Sequence, residues 1–207
     1  MLFQYPVGAT PLDPDEAIGL IPKHITTQGE LNAWEEINIE QGASWIKRQN
    51  ILLKLNEGLV RDLHQRMFSK TWRWAGKYRQ SAKNIGIDWS QISVSLKNLL
   101  DDTAYQIEHQ SMPNDEIVIR FHHRLVWIHV FPNGNGRHAR LLADALIVSL
   151  GGERFSWGGS HSFVNAGITR QNYLSALREA DQGRMESLIQ FAIGSIIITI
   201  PAPPPKA

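Results

Sequence analysis

Apolar residues recur at helical spacing along most of the chain. Thr27-Gln28-Gly29-Glu30 precedes Leu31, Trp34 and Ile37, and a Thr followed three residues later by Glu is the signature of a capping box. Leu59, Leu63 and Met67 follow Asn56, a good N-cap residue. Leu96, Leu99, Leu100, Ala104 and Ile107 share one helical face, and so do Ile117, Val118, Phe121, Leu125 and Ile128 behind Asn114. That last pattern ends at His129, because "FPNGNG" cannot continue a helix. A new one starts near Arg137, runs through Leu141, Leu142, Ala145 and Leu146, and stops at Gly151-Gly152. Two further helices are expected at 169–181, capped by Thr169, and at 184–198. Only between Tyr78 and Val94 does the period change. "NIGID" and "QISVS" alternate there, which predicts a short β-hairpin. The expectation is one all-α domain over residues 1–207, a helical bundle with a small hairpin.

Composition narrows the function. The 207 residues are 43% hydrophobic with seven Trp, enough for a packed core. Net charge is +1, so a general polyanion binder is not indicated and no nucleic-acid partner is expected. The absence of cysteine excludes disulfides and thiolate metal sites and fits a reducing cytoplasm. The first residues, "MLFQYPVGATPLDPDEA", lack the basic and apolar regions of a signal peptide. The most apolar segment, 188–200, is shorter than the roughly 20 residues that span a bilayer, so no membrane association is expected. The tail "PAPPPKA" reads as extended and mobile.

The chemistry concentrates in "WIHVFPNGNGRHARL", residues 127–141. This loop lies just before a helix N-terminus, whose free N–H groups and positive dipole end attract anions. Gly134 and Gly136 remove side chains and let a phosphate approach the backbone. Arg137 and Arg140, three apart, lean toward the same end, and guanidinium holds phosphate oxygens bidentately. His129 stands at the rim, with an ordinary pKa suited to taking a proton from a hydroxyl. The loop reads as a polyphosphate site with a base beside it. Gly134, Gly136 and Ala139 also match the dinucleotide fingerprint, but that motif needs a preceding strand and a parallel sheet. A zinc site from His122, His123, His129 and His138 lacks any recognised ligand spacing. Lys77 and Arg79 read as a solvated strand edge, with a phosphate contact as the alternative, and Trp72 and Trp74 as packing beneath the hairpin.

These residues resemble a known family. "HVFPNGNGRHAR" is similar to the signature of Fic domains, written H-P-F-x-[D/E]-G-N-G-R-x-x-R. "WRWAGKYR" (72–79) resembles the stretch before that family's target-positioning flap, and "FHHRLVWIH" and "YLSALREAD" follow in the expected order. The short bacterial Fic proteins labelled mobile mystery protein B are the subgroup it most resembles. The resemblance implies a Fic core at about 50–195 behind an N-terminal extension of about 1–48. It implies transfer of AMP from ATP, with Mg²⁺, to a Ser, Thr or Tyr hydroxyl of a target protein. His129 would be the base, Phe131 a buried anchor, and Gly134, Asn135 and Gly136 the phosphate cradle. Arg137 and Arg140 would stabilise phosphate charge, with Asn135 and Arg137 counted with His129 in the catalytic set. Lys83, Asn84, Ile85, Gly86 and Ile87 would form the flap that aligns the target by backbone pairing, and Tyr173 would line the adenine pocket.

Two departures stand out. Val130 replaces the usual Pro, and Asn133 replaces the acidic residue that holds Mg²⁺. An amide oxygen coordinates without charge, so metal is held mainly by phosphates, or the reaction uses another nucleotide or a phosphoryl group, or the chain is a binding module. Many Fic domains also carry an inhibitory helix with [S/T]-x-x-x-E-[G/N]. Thr26 and Glu30 have that spacing, although the capping box explains them too, and Glu36 is a second candidate. The resemblance thus admits self-inhibition or a separate regulator, as in a toxin with its antitoxin.

Overall fold

The computed structural model describes residues 13–159 and 168–194. The expectations for the N-terminal leader, for 195–198 of the last helix and for the Pro-rich tail lie outside them. The described residues are mostly helical: α1 (Pro14–Ala17), α2 (Gln28–Ile46), α3 (Ile51–Lys54), α4 (Glu57–Phe68), α5 (Ile92–Glu108), α6 (Asn114–Ile128), α7 (Asn135–Ser149), α8 (Ile168–Asp181) and α9 (Glu186–Ile193). The all-α architecture is as the periodicity predicts.

Local rules account for most boundaries. Thr27 Oγ1 accepts the N–H of Glu30, and the Glu30 carboxylate reaches back to the N–H of Thr27, so both halves of the capping box form. Asn56 caps α4 by accepting the N–H of Leu59 at 3.0 Å. Asn114 is the first residue of α6 rather than its cap, a place taken by Pro113. The α7 helix begins two residues before Arg137, at Asn135.

One expectation is corrected. Among the described residues there is no strand ladder between Tyr78 and Val94. Residues 80–88 form an irregular loop, a 3-10 turn spans Trp89–Gln91, and α5 starts at Ile92. The alternation of "QISVS" covers five positions. The helical series Ile92, Leu96, Leu99, Leu100 and Thr103 is longer, all buried, and wins. Asp88 starts the turn by accepting the N–H of Ser90 at 2.8 Å.

The helices pack around one core. α2 lies against α4, α6 against both α5 and α7, and α8 against α9. Leu63, Met67, Phe68, Phe121, Leu125, Ile128, Phe131 and Leu142 are almost fully excluded from solvent. Burying one such side chain is worth about 1.5–3 kcal/mol. The α6–α7 pairing brings the C-terminus of one helix beside the N-terminus of the next, and the quoted loop bridges them.

Candidate nucleotide-phosphate site

His129 ends α6. It adopts the left-handed conformation, φ 56° and ψ 63°, which stops the helix and turns the chain. The ring is 4% exposed, and among the described residues neither ring nitrogen has a hydrogen-bond partner. Burial, with the cations Arg79 and Lys83 nearby, lowers its pKa to about 4. The imidazole is therefore neutral at neutral pH and can accept a proton.

The loop between His129 and α7 is braced from within and below. The Asn135 side chain accepts the N–H of Phe131 at 2.9 Å and donates to its carbonyl at 2.8 Å. This residue, expected in the catalytic set, ties the loop closed with its side chain. Phe131 is fully buried and stacks on His64, ring centroids 3.7 Å apart. His64 Nδ1 accepts the N–H of Gly76 at 3.0 Å, so its Nε2 donates to the Asn133 carbonyl at 3.1 Å. The sequence offered no signal for His64, yet it supports the loop from α4.

The two glycines do different things. Gly134 has φ 81°, and a Cβ there would lie 2.7 Å from the Phe68 ring. Gly136 needs no unusual backbone; a Cβ would come no closer than 3.7 Å, at the Tyr173 hydroxyl. Its missing side chain leaves open the approach to the first turn of α7.

Arg137 and Arg140 flank that turn. Arg137 lies over the Phe68 ring at 5.0 Å and Arg140 over the Tyr173 ring at 5.3 Å. Arg140 is 5% exposed, and its pKa is lowered first by burial and further by Arg137 and Arg170, while Tyr173 and Asp144 oppose the shift. Arg170, on α8, thus adds a third cation that the sequence did not single out. Tyr173, one turn further along α8, is buried, and its hydroxyl pairs with His122 Nε2 at 3.0 Å.

One carboxylate enters this cationic group. Glu35 of α2 is 4% exposed; Oε2 accepts from Arg137 Nη1 at 2.5 Å and Oε1 from Trp72 Nε1 at 2.7 Å. Neither carboxylate considered for this place makes that contact. Glu36 is exposed, and the Glu30 carboxylate accepts the N–H groups of Thr26 and Thr27 and the Thr26 hydroxyl at its own helix start. Nothing in "AWEEIN" distinguishes Glu35 from its neighbour, so only the tertiary contact reveals it.

Asn133 offers a metal ion little. Its Oδ1 accepts the N–H of Gly134 at 2.6 Å, and among the described residues no group of three His, Asp or Glu could hold a metal ion. That donor set does not fit a resident Mg²⁺, which takes one or two carboxylates besides phosphate oxygens. Of the four histidines considered for zinc, His122, His123 and His138 have separate partners, and His129 has none among the described residues. His138 Nε2 donates to the Val60 carbonyl, and His123 faces Asp181.

The flap segment covers the base. A Cβ on Gly86 would lie 2.6 Å from the His129 Cβ. Lys83 is buried between Asp13, 2.8 Å away, and Glu16, 2.5 Å away, with its side chain 2% exposed. Asn84, Ile85 and Gly86 are the exposed part of the expected flap, and Ile87 is half-buried.

Residues 54–147 match the model of the Fic/DOC family, and the chain carries a Fic/DOC family domain. It is 39% identical over 66 residues to a protein of Aquifex aeolicus named a probable protein adenylyltransferase. That match takes in 31% of this chain and 17% of the relative, so the chain spans a small part of the curated protein. The fold is shared with the N-terminal Fic domain of a VirB-translocated Bep effector from Bartonella quintana, solved with ADP bound: TM-score 0.66, 20% identity, over 82% of this chain and 86% of that one. Fic-1 from C. elegans matches with TM-score 0.64 and 19% identity over 84% of this chain and 51% of that one. BepC from Bartonella tribocorum, solved with AMPPNP, matches at 0.63 and 16%, over 86% and 96%. Among the described residues, no helix is long and apolar enough to cross a membrane.

Proposed function

We propose that this domain transfers AMP from ATP to a hydroxyl side chain of a protein, in trans or on itself. The observation that carries this reading is a neutral His129, without a hydrogen-bond partner among the described residues, beside the open first turn of α7 and its two arginines. The triphosphate would lie over Gly136 with Arg137 and Arg140 on its oxygens. A hydroxyl held by the exposed stretch 84–86 would give its proton to His129. Its oxygen would bond to the α-phosphorus while the bond to the bridging oxygen breaks, and pyrophosphate leaves with that electron pair. Mg²⁺ would enter as part of the ATP substrate, bound by phosphate oxygens. A cytoplasmic setting would supply the ATP.

The same reading extends to control. In the described arrangement Glu35 occupies Arg137, so a triphosphate must compete with a carboxylate already in place. We assign the inhibitory role to Glu35 rather than to Glu30, Thr26 or Glu36, and a separate regulator would act by moving α2. Asn133 favours a second reading, in which another nucleotide or the γ-phosphoryl group is transferred, or a nucleotide is only bound.

The test is mass spectrometry of the purified protein and of lysate proteins after incubation with ATP and Mg²⁺. AMP adducts on Ser, Thr or Tyr that vanish in His129→Ala support the reading. Nucleotide binding without any adduct, in wild type and in Glu35→Gln, overturns it.

A further inference from the structure

Arg79 follows "WRWAGKY" and reads in the sequence as a solvated strand edge. It is 1% exposed, one of the largest fully buried side chains described. Its guanidinium spends its donors on four backbone carbonyls. Nε donates to His129 at 2.6 Å, Nη1 to Ser81 at 2.8 Å, and Nη2 to Ile87 at 2.5 Å and to Ile128 at 3.3 Å. Its own N–H donates to Val130 at 3.1 Å.

Each bond has a physical reason. A helix leaves its last carbonyls without intrahelical partners, and the negative end of its dipole favours a cation there. Arg79 meets both needs of α6 through Ile128 and His129. The carbonyls of Ser81 and Ile87 bracket the flap, so the same side chain closes the loop at both ends. This replaces the cross-strand pairing that a hairpin would have used. A planar fork with five N–H donors in fixed directions can hold carbonyls on two sides at once; an ammonium cannot. Gly86, between the two tethered ends, comes so close that a Cβ would sit 2.9 Å from Arg79 Nη2 and 2.6 Å from the His129 Cβ.

The geometry points to Arg79 as the positioning residue of this site, one side chain that fixes the base His129 and the target-aligning flap in a single register. The inference rests on the AMP-transfer reading for its consequence in turnover, but not for its geometry. Because one guanidinium holds both partners, an error in the flap becomes an error at the base. The charged groups acting on His129 are Arg79 and Lys83; Asp13 and Glu16 hold Lys83, while Asp88 and Glu16 act on Arg79. Removing the Arg79 charge therefore moves the His129 titration upward, and exposing the ring would move it the same way, so the charge-keeping Arg79→Lys is needed to separate the two.

The experiment compares wild type with Arg79→Lys and Arg79→Gln. It reads the His129 imidazole titration by NMR, amide exchange over residues 81–88, fluorescent ATP-analogue affinity, and transfer to the target. Arg79→Gln is expected to raise the His129 titration midpoint. Arg79→Lys keeps the charge and loses the fork, so exchange over 81–88 rises several-fold while the midpoint rises less than in Arg79→Gln. In both variants transfer falls on the order of a hundredfold, with analogue affinity within about twofold, because the fork does not touch the phosphate site. Unchanged titration in Arg79→Gln, or unchanged exchange in Arg79→Lys, overturns the inference. If Arg79→Gln does not fold, exchange in Arg79→Lys decides alone. If wild type transfers no AMP, the AMP-transfer reading fails, while titration and exchange still decide the role of Arg79.

Discussion

Glu35 Oε2 sits 2.5 Å from Arg137 Nη1, a contact across 102 residues that puts a buried carboxylate against an arginine of the phosphate site. The contact competes with any polyanion for the same guanidinium. Glu35→Gln removes the charge while keeping an acceptor for Trp72 Nε1. It is expected to raise ATP-analogue affinity and turnover by tenfold or more, the equivalent of about 1.4 kcal/mol. Glu35→Ala would also orphan the Trp72 donor, at a cost of about 1–3 kcal/mol in stability. Glu30→Gly is expected to weaken the start of α2 and leave affinity unchanged. Isothermal titration of the three variants separates these outcomes; equal affinity in Glu35→Gln and wild type would remove Glu35 from control.

The buried base predicts an unusual pH profile. His129 has a pKa lowered to about 4 by burial, then by Arg79 and Lys83. Its proton-accepting form therefore persists well below the ordinary histidine value of 6.5. The acidic limb of kcat/KM should fall toward about 4, and a limb at 6.5 or above would mean an exposed base.

The same burial predicts acid sensitivity. His138 is lowered to about 4 and His122 to about 3, in each case first by burial, and His64 is also lowered strongly. These folded-state values lie below the unfolded value of 6.5, so the unfolded chain takes up protons first. Their contribution is complete above 6.5 and is lost as the pH falls from there toward 4. Each group costs about 1.4 kcal/mol per pH unit within its window. Asp144, raised by burial, acts in the opposite sense at the acid end. Urea midpoints at pH 7 and pH 5 should differ clearly, and equal midpoints would contradict these assignments.

Asn133 makes a prediction about metal. Asn133→Asp keeps the acceptor for the Gly134 N–H and adds a charge near the phosphates. A unit charge at ~4 Å is worth roughly 1–4 kcal/mol between dielectrics of 80 and 20. The Mg²⁺ concentration for half-maximal labelling should drop by at least about fivefold, the lower edge of that range. A magnesium titration of both forms checks it; no change would show that position 133 does not face the metal.

The two glycines should respond oppositely. Gly134→Ala forces a side chain into φ 81° and within 2.7 Å of Phe68, and is expected to lose about 1–3 kcal/mol of stability. Gly136→Ala has room and a helical backbone, so it should fold at least as stably while binding the ATP analogue more weakly. Thermal melts and analogue titrations of the pair give the contrast.

How much of this could be read from the sequence depends on how local each feature is. The end of α6, the glycines at the start of α7 and the two arginines lie within 12 residues, and helix-end physics makes such a stretch readable. The Thr27–Glu30 box was readable for the same reason. Glu35 and His64 reach the site from distant positions, and nothing beside them in the chain marks them; Arg79 ends the readable stretch "WRWAGKYR", but its role is not visible there. Arg79 reads as a strand edge because it is a basic residue near alternating positions, and its burial depends on carbonyls up to 50 residues away. The hairpin was misread because five alternating residues also fit the first turn of a helix whose longer period lies downstream.

AMP transfer is decided by incubating wild type and Glu35→Gln with ATP labelled either at the α- or at the γ-phosphate, beside His129→Ala. Protein-bound label is expected from the α-position, stronger in Glu35→Gln, and none in His129→Ala. Label from the γ-position alone, or α-label that survives His129→Ala, would contradict it.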